Sequence, residues 1–258
     1  MNRLNELFKN KTGHILNIYF TAGFPGLQDT VPIIKALAQA GVDLIEIGMP
    51  YSDPLADGPT IQSSSQVALK NGMDLRILFE QIVLARQTVD LPLILMGYFN
   101  QVMQYGEERF IVKAKESGID ALILPDLPVE EYELHYKELF EKHGMNIVFL
   151  ITPQTPDARI RHIDAVSNSF IYMVSSNAIT GAKSGIDNEQ ETYFRRISEL
   201  GLKNPRLIGF GISNKAGFDK ACEFAHGAII GSAFITAVSG NKPVEQAASE
   251  FIGSVLHG

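Results

Sequence analysis

The chain has 258 residues, 45% of them hydrophobic and 20% charged, and carries a net charge of −7 from 22 basic and 29 acidic side chains. That balance suits a soluble globular protein with a large core, and with no basic block it argues against nucleic acid and anionic membrane as partners. The single cysteine, Cys222, leaves no internal disulfide and fits a reducing cytoplasm.

The amino terminus, "MNRLNELFKNKTG", lacks the apolar core of a secretory signal, and no run approaches transmembrane length. Leu4, Leu7 and Phe8 stand at i, i+3 and i+4, the spacing of a short amphipathic helix. Eight short apolar runs follow, at 15–20, 44–47, 93–96, 121–124, 147–151, 170–174, 207–210 and 228–230. Most end in Gly, Pro, Asp or Asn. Helix patterns lie between them: 32–40; 74–86, with Leu75, Leu78, Phe79, Ile82 and Val83 on one stripe; and 130–142, after Pro128 as a first-turn residue. Thr155 and Pro156 read as cap and first residue of the next.

Strand–helix alternation repeated eight times means parallel strands with crossover helices, and eight units in this length predict a (β/α)8 barrel. No linker breaks the pattern, so one domain, 1–258, is expected, with the first helix covering the barrel bottom. A doubly wound open sheet is the alternative, but no Gly-x-Gly-x-x-Gly follows the first run. In such barrels chemistry sits at the carboxyl ends of the strands, where the Gly/Pro-rich stretches fall here.

The second run carries an acid. Alternation puts Leu44, Glu46 and Gly48 on one face and Ile45 and Ile47 on the other. The aliphatic pair belongs under the helices, so Glu46 points into the barrel. An unpaired carboxyl there has its pKa raised by desolvation toward the range a general acid/base needs. The alternative is an interior glutamate paired to lysine or arginine. Asp57 follows in a loop stiffened by Pro50, Pro54 and Pro59, in position to stand over the same pocket. Asp53, nearer the outer bend, fits an Asx turn.

Gly209, Gly211, Gly231 and Ser232 close runs seven and eight. Loops at these places in a barrel often hold phosphate through backbone N–H groups, although tight turns alone also need glycine. The stretch 175–185 after run six is a candidate lid or an ordinary solvated loop. The six histidines, His14, His135, His143, His162, His226 and His257, show no metal-ligand spacing. Cys222 has no reactive motif around it and reads as an inert, half-buried thiol. The residues alone thus indicate a cofactor-free enzyme using acid/base chemistry on a small phosphorylated substrate.

The stretch "LIEIGMPYSDPLADGPTIQ" at 44–62 resembles the signature of the tryptophan synthase alpha chain family. "FTAGFPG" at 20–26, "ITGAKSG" at 179–185, "GFGIS" at 209–213 and "IIGSAF" at 229–234 match it in order, so the resemblance covers essentially the whole chain. It implies a cytoplasmic lyase of tryptophan biosynthesis that cleaves indole-3-glycerol phosphate to indole and glyceraldehyde 3-phosphate, without a cofactor of its own. Glu46 matches the family's general acid/base. Asp57 matches the carboxylate that binds the indole N–H. Tyr172 matches a tyrosine against the glutamate, and Tyr98 one near the ring. Tyr19 and Met96 fall at pocket positions where the family usually has phenylalanine and leucine. Thr180 matches a lid threonine. Gly181, Gly211, Gly231 and Ser232, with Phe210 beside them, match the phosphate cradle.

The resemblance also implies an α2β2 assembly with a pyridoxal-phosphate beta chain, contacted through Pro50, Asp53 and the region 100–103. Asp53 would then signal between subunits. The family lid reads Ser-Arg-x-Gly-Val-Thr-Gly; here Ser176 and Ala178 replace the arginine and the glycine. A stand-alone lyase releasing free indole, or a non-catalytic barrel that activates a beta chain, are the competing functions.

Overall fold

The computed structural model describes residues 2–55, 57–175, 188–209 and 211–258. Eight parallel strands close on themselves in chain order: β1 (Ile15–Thr21), β2 (Leu44–Gly48), β3 (Leu93–Met96), β4 (Ala121–Ile123), β5 (Asn146–Ile151), β6 (Ile171–Val174), β7 (Arg206–Gly209) and β8 (Gly227–Ile230). β8 pairs with β1 through Ile15↔Gly227 to Ile18↔Ile230, which completes the barrel. The expected (β/α)8 architecture is what forms.

Two apolar layers follow from strand alternation. Ile45 and Ile47 of β2 join the outer layer between strands and helices. Leu44, Ile94, Ala121, Val148, Phe170, Leu207 and Ile229 fill the barrel interior with Leu4. Each large side chain buried this way is worth about 1.5–3 kcal/mol. The first helix, Arg3–Asn10, is capped by Asn2 and lies at the amino ends of the strands. Leu4 is buried there, Phe8 packs on Phe170 with ring centroids 5.5 Å apart, and Asn2 Nδ2 donates to the Asp120 carbonyl at 2.7 Å. It covers the barrel bottom, as its apolar stripe predicts.

Some boundaries differ from the sequence reading, each for a local reason. Asp74 is the cap of helix Leu75–Arg86 rather than its first residue, because its carboxylate accepts from Ile77 N at 2.7 Å. Pro128 and Pro156 likewise precede their helices in extended conformation instead of entering the first turn. The segment expected as one helix over 130–142 contains a wider π turn, Tyr132–Tyr136, between two α segments. The Tyr132 ring, at the start of this turn, meets both Phe140 and Phe149 at centroid distances of 5.2 and 5.3 Å. Burial pushes the half-buried Cys222 thiol up to about 11, which agrees with an inert side chain. Among the described residues no helix is long and apolar enough to cross a membrane.

Candidate active site

Glu46 points into the barrel from β2, and 1% of its surface is exposed. Its Oε1 accepts a hydrogen bond from Asn17 Nδ2 of β1, and its Oε2 has no partner among the described residues. Among the described residues, the pairing with lysine or arginine that the sequence left open is not found. Burial therefore dominates and pushes the Glu46 carboxyl up to about 8, against the opposing pull of the Asn17 amide.

Asp57 is held above it by the proline-rich loop. Its N–H donates to the Pro54 carbonyl at 3.1 Å, and its own carbonyl accepts from Gln62 Nε2 at 2.9 Å. Gly58 and Pro59 then open helix Pro59–Lys70. Tyr98 Oη donates to Asp57 Oδ2 at 3.2 Å, and the Tyr98 ring stacks on Tyr51 at 5.0 Å. Burial pushes the Asp57 carboxyl up to about 6, with the Tyr98 hydrogen bond opposing it. Two acids in one barrel mouth thus titrate on opposite sides of neutrality.

Tyr19 and Asp57 line one cavity of about 10 Å³ with Met49, Met96, Gly97, Tyr98 and Pro125. Tyr19 is the register partner of Glu46, so this cavity stands next to the buried acid. Tyr172 faces the same charges from β6: burial first, then Glu46, Asp57 and Tyr19, hold its phenol well above the usual value. Both tyrosines lie flat across strand-end glycines. A Cβ at Gly48 would collide with Tyr19 Oη, and one at Gly209 with Tyr172 Oη.

The glycine loops reach the same mouth. Gly231 sits over the Tyr19 ring, where a Cβ would lie 3.3 Å from Cδ1. Ser232 opens the helix Ser232–Val238 just beyond it, with an exposed side chain. Gly211 holds a left-handed φ of 79° after β7. Pro50 is tied to helix Phe99–Tyr105, since its carbonyl accepts from Gln101 Nε2 at 2.9 Å; Asn100 Nδ2 donates to Tyr51 Oη at 3.0 Å. Asp53 accepts from Ser52 Oγ on the exposed side of the loop. Thr180, Gly181 and Phe210, with the Ser176 and Ala178 substitutions, lie outside the described residues.

Sequence reasoning missed Asn17, Met49, Gly97 and Pro125. For Asn17 the signal was present, because a polar residue at inward parity in an apolar run is the same anomaly as Glu46. The other three gave none, since only tertiary proximity brings them to Asp57.

The model of the family described as tryptophan synthase alpha chain matches residues 5–254. The tryptophan synthase alpha chain of Flavobacterium psychrophilum is 61% identical over 93% of this chain and 95% of its own. In three dimensions the chain resembles the alpha subunit from Legionella pneumophila with a TM-score of 0.89 at 32% identity, covering 99% and 97% of the two chains. It likewise matches the tryptophan synthase complex from Pyrococcus furiosus with a TM-score of 0.87 at 31% identity, covering 95% and 99%. With the barrel, the interior acid and these likenesses in agreement, the chain belongs to the tryptophan synthase alpha chain family, the lyases that run the alpha reaction of tryptophan biosynthesis.

Proposed function

We propose that this chain cleaves indole-3-glycerol phosphate by a retro-aldol reaction, with Glu46 carrying the proton and Asp57 holding the ring. The observation that carries the reading is a buried carboxyl with no cationic partner among the described residues, next to a second carboxyl of lower pKa. At neutral pH Glu46 is mostly protonated and Asp57 mostly ionised. Glu46 gives its proton to C3 of the indole, which forms a C–H bond and turns the ring into a leaving group. Asp57 accepts the indole N–H and offsets the positive charge developing on that nitrogen. The Glu46 carboxylate then takes the proton of the neighbouring side-chain hydroxyl. The C–C bond breaks, its electrons restore the aromatic ring, and the oxygen leaves as the aldehyde. One proton has moved from oxygen to carbon, and Glu46 is neutral again.

The remaining residues position the substrate. Gly211, Gly231 and Ser232 offer backbone N–H groups and a hydroxyl to the phosphate, with Gly181 and Phe210 completing the cradle and Thr180 closing the lid. Tyr19, Met96, Tyr98 and Tyr172 enclose the ring. A cavity of about 10 Å³ is too small for a bicyclic ring, so binding pushes the pliant Met49 and Met96 side chains aside.

The chain acts in the cytoplasm as one domain, within an α2β2 complex with a pyridoxal-phosphate beta chain. The contact runs over Pro50, Asp53 and 100–103, where Leu55 is 85% and Met103 52% exposed. These apolar side chains favour the partnered reading over a stand-alone lyase. Incubation with indole-3-glycerol phosphate, with and without a beta chain, tests it: indole appears in both and faster with the partner. No indole in either case would sink the reading; equal rates would remove the partner.

A further inference from the structure

We infer that Asn17 is a positioning residue that holds Glu46 Oε1 in both of its protonation states and leaves Oε2 as the oxygen that meets the substrate. The inference rests on Glu46 being the proton carrier. Asn17 is fully buried at inward parity on β1, and its side chain reaches Glu46 across 29 residues of sequence. Two oxygens of this pair, Asn17 Oδ1 and Glu46 Oε2, have no partner among the described residues. Buried oxygens are rarely left so without a reason.

The two orphans differ in kind. Oε2 lies on the carboxyl that the reaction uses, so its partner is substrate. Oδ1 belongs to an amide, which has both donors and an acceptor. When Glu46 is ionised, the Nδ2 hydrogen donates to Oε1. When Glu46 is neutral, its proton sits on Oε2, where the substrate can take it, and Oε1 as the carbonyl oxygen still accepts the Nδ2 hydrogen. The same hydrogen bond then holds Oε1 before and after the proton moves. A lysine or arginine at this place would favour the anion alone.

Among the described residues, the titratable groups that face Glu46 are Tyr19 from β1 and Tyr172 from β6, while Asp57 acts on both phenols from the loop after β2. Burial holds both phenols above their usual range, and no cationic side chain among the described residues pairs with Glu46.

The test uses the full chain with [13C]-labelled glutamate and [15N]-labelled asparagine. The Glu46 carboxyl signal is identified by its loss in Glu46→Gln, and the Asn17 amide signals by through-bond assignment of the wild-type chain. The Asn17 side-chain amide should titrate with the same midpoint as the Glu46 carboxyl. In Asn17→Leu, a near-isosteric change in an apolar surround, that carboxyl midpoint should rise by about one pH unit, a tenfold change. The alkaline limb of kcat/KM should move with it, while kcat falls about tenfold and KM changes little. An amide that stays flat while Glu46 titrates, or a midpoint unmoved in Asn17→Leu, overturns the inference. The wild-type titration decides the matter even if Asn17→Leu does not fold. A wild-type chain that releases no indole would defeat the proposed reaction, whereas the coupled titration of the pair is read without turnover.

Discussion

The two ends of the barrel each bury an acid and treat it in opposite ways. At the bottom, Asp120 is 2% exposed and meets Arg86 at 2.7 Å, Arg3 at 3.3 Å and the Leu93 N–H at 3.0 Å. Its charge is answered from three sides and ties the first helix to β3 and β4. At the mouth, Glu46 is as deeply buried but has, among the described residues, one amide donor and no cation. The difference shows that burial alone does not make a carboxyl functional. A buried charge with a full set of partners is a fastening, and one left short of partners keeps a proton that can move.

The sharpest way to break the comparison is Glu46→Gln. It should cost about 10²–10⁴-fold in indole release, the usual share of a general acid/base. Its stability effect has a definite sign. Because burial raises the Glu46 pKa from 4.5 in the unfolded chain to about 8, its contribution to stability is full below pH 4.5 and lost as pH rises through 8. Glu46→Gln should therefore be no more stable than the parent at pH 4.5 and more stable by about 2–5 kcal/mol at pH 9. Denaturant melts at the two pH values check this, and equal differences at both would remove the ionisation of Glu46 from the account.

Asp120→Ala at the other end should do the reverse. It should cost about 3 kcal/mol of stability by leaving Arg86 without its counter-charge, and turnover per folded molecule should stay unchanged. A loss of turnover beyond the unfolded fraction would mean that the two ends are coupled.

A finer probe is Tyr98→Phe, which removes a donor from Asp57. Asp57 works ionised, so kcat/KM should be bell-shaped between about 6 and about 8 in the parent. In the variant the acid limb should move to higher pH by up to about one unit; a limb that stays put would break the link between this hydrogen bond and Asp57. The smallest effect belongs to Arg76→Ala. The exposed Arg76–Glu80 pair on helix Leu75–Arg86 should be worth only about 0.3–0.5 kcal/mol in a thermal melt.

Much of the frame was legible because strand alternation is a local rule. The run at 93–96 coincides with β3, and the inward parity of Glu46 follows from its neighbours Ile45 and Ile47. The π turn at Tyr132–Tyr136 was not legible, and neither was the contact of the Tyr132 ring with Phe149 on another element. Tyr19 and Tyr172 could be placed at the mouth, but not their fit over Gly48 and Gly209, which depends on strand neighbours chosen by barrel closure. Asn17 stood at the right parity and went unremarked, because parity says which way a side chain points and not what it meets.

By itself the sequence determined that eight parallel strands alternate with helices, that one acid enters the interior and that a stiff loop carries a second one. Those are consequences of periodicity, proline geometry and solvent exclusion, which act over a few residues. Only the tertiary structure decided that Glu46 faces an amide and Asp120 two guanidinium groups. A carboxyl's pKa depends on the dielectric and the charges within a few ångströms, and those come from strands and helices far away along the chain.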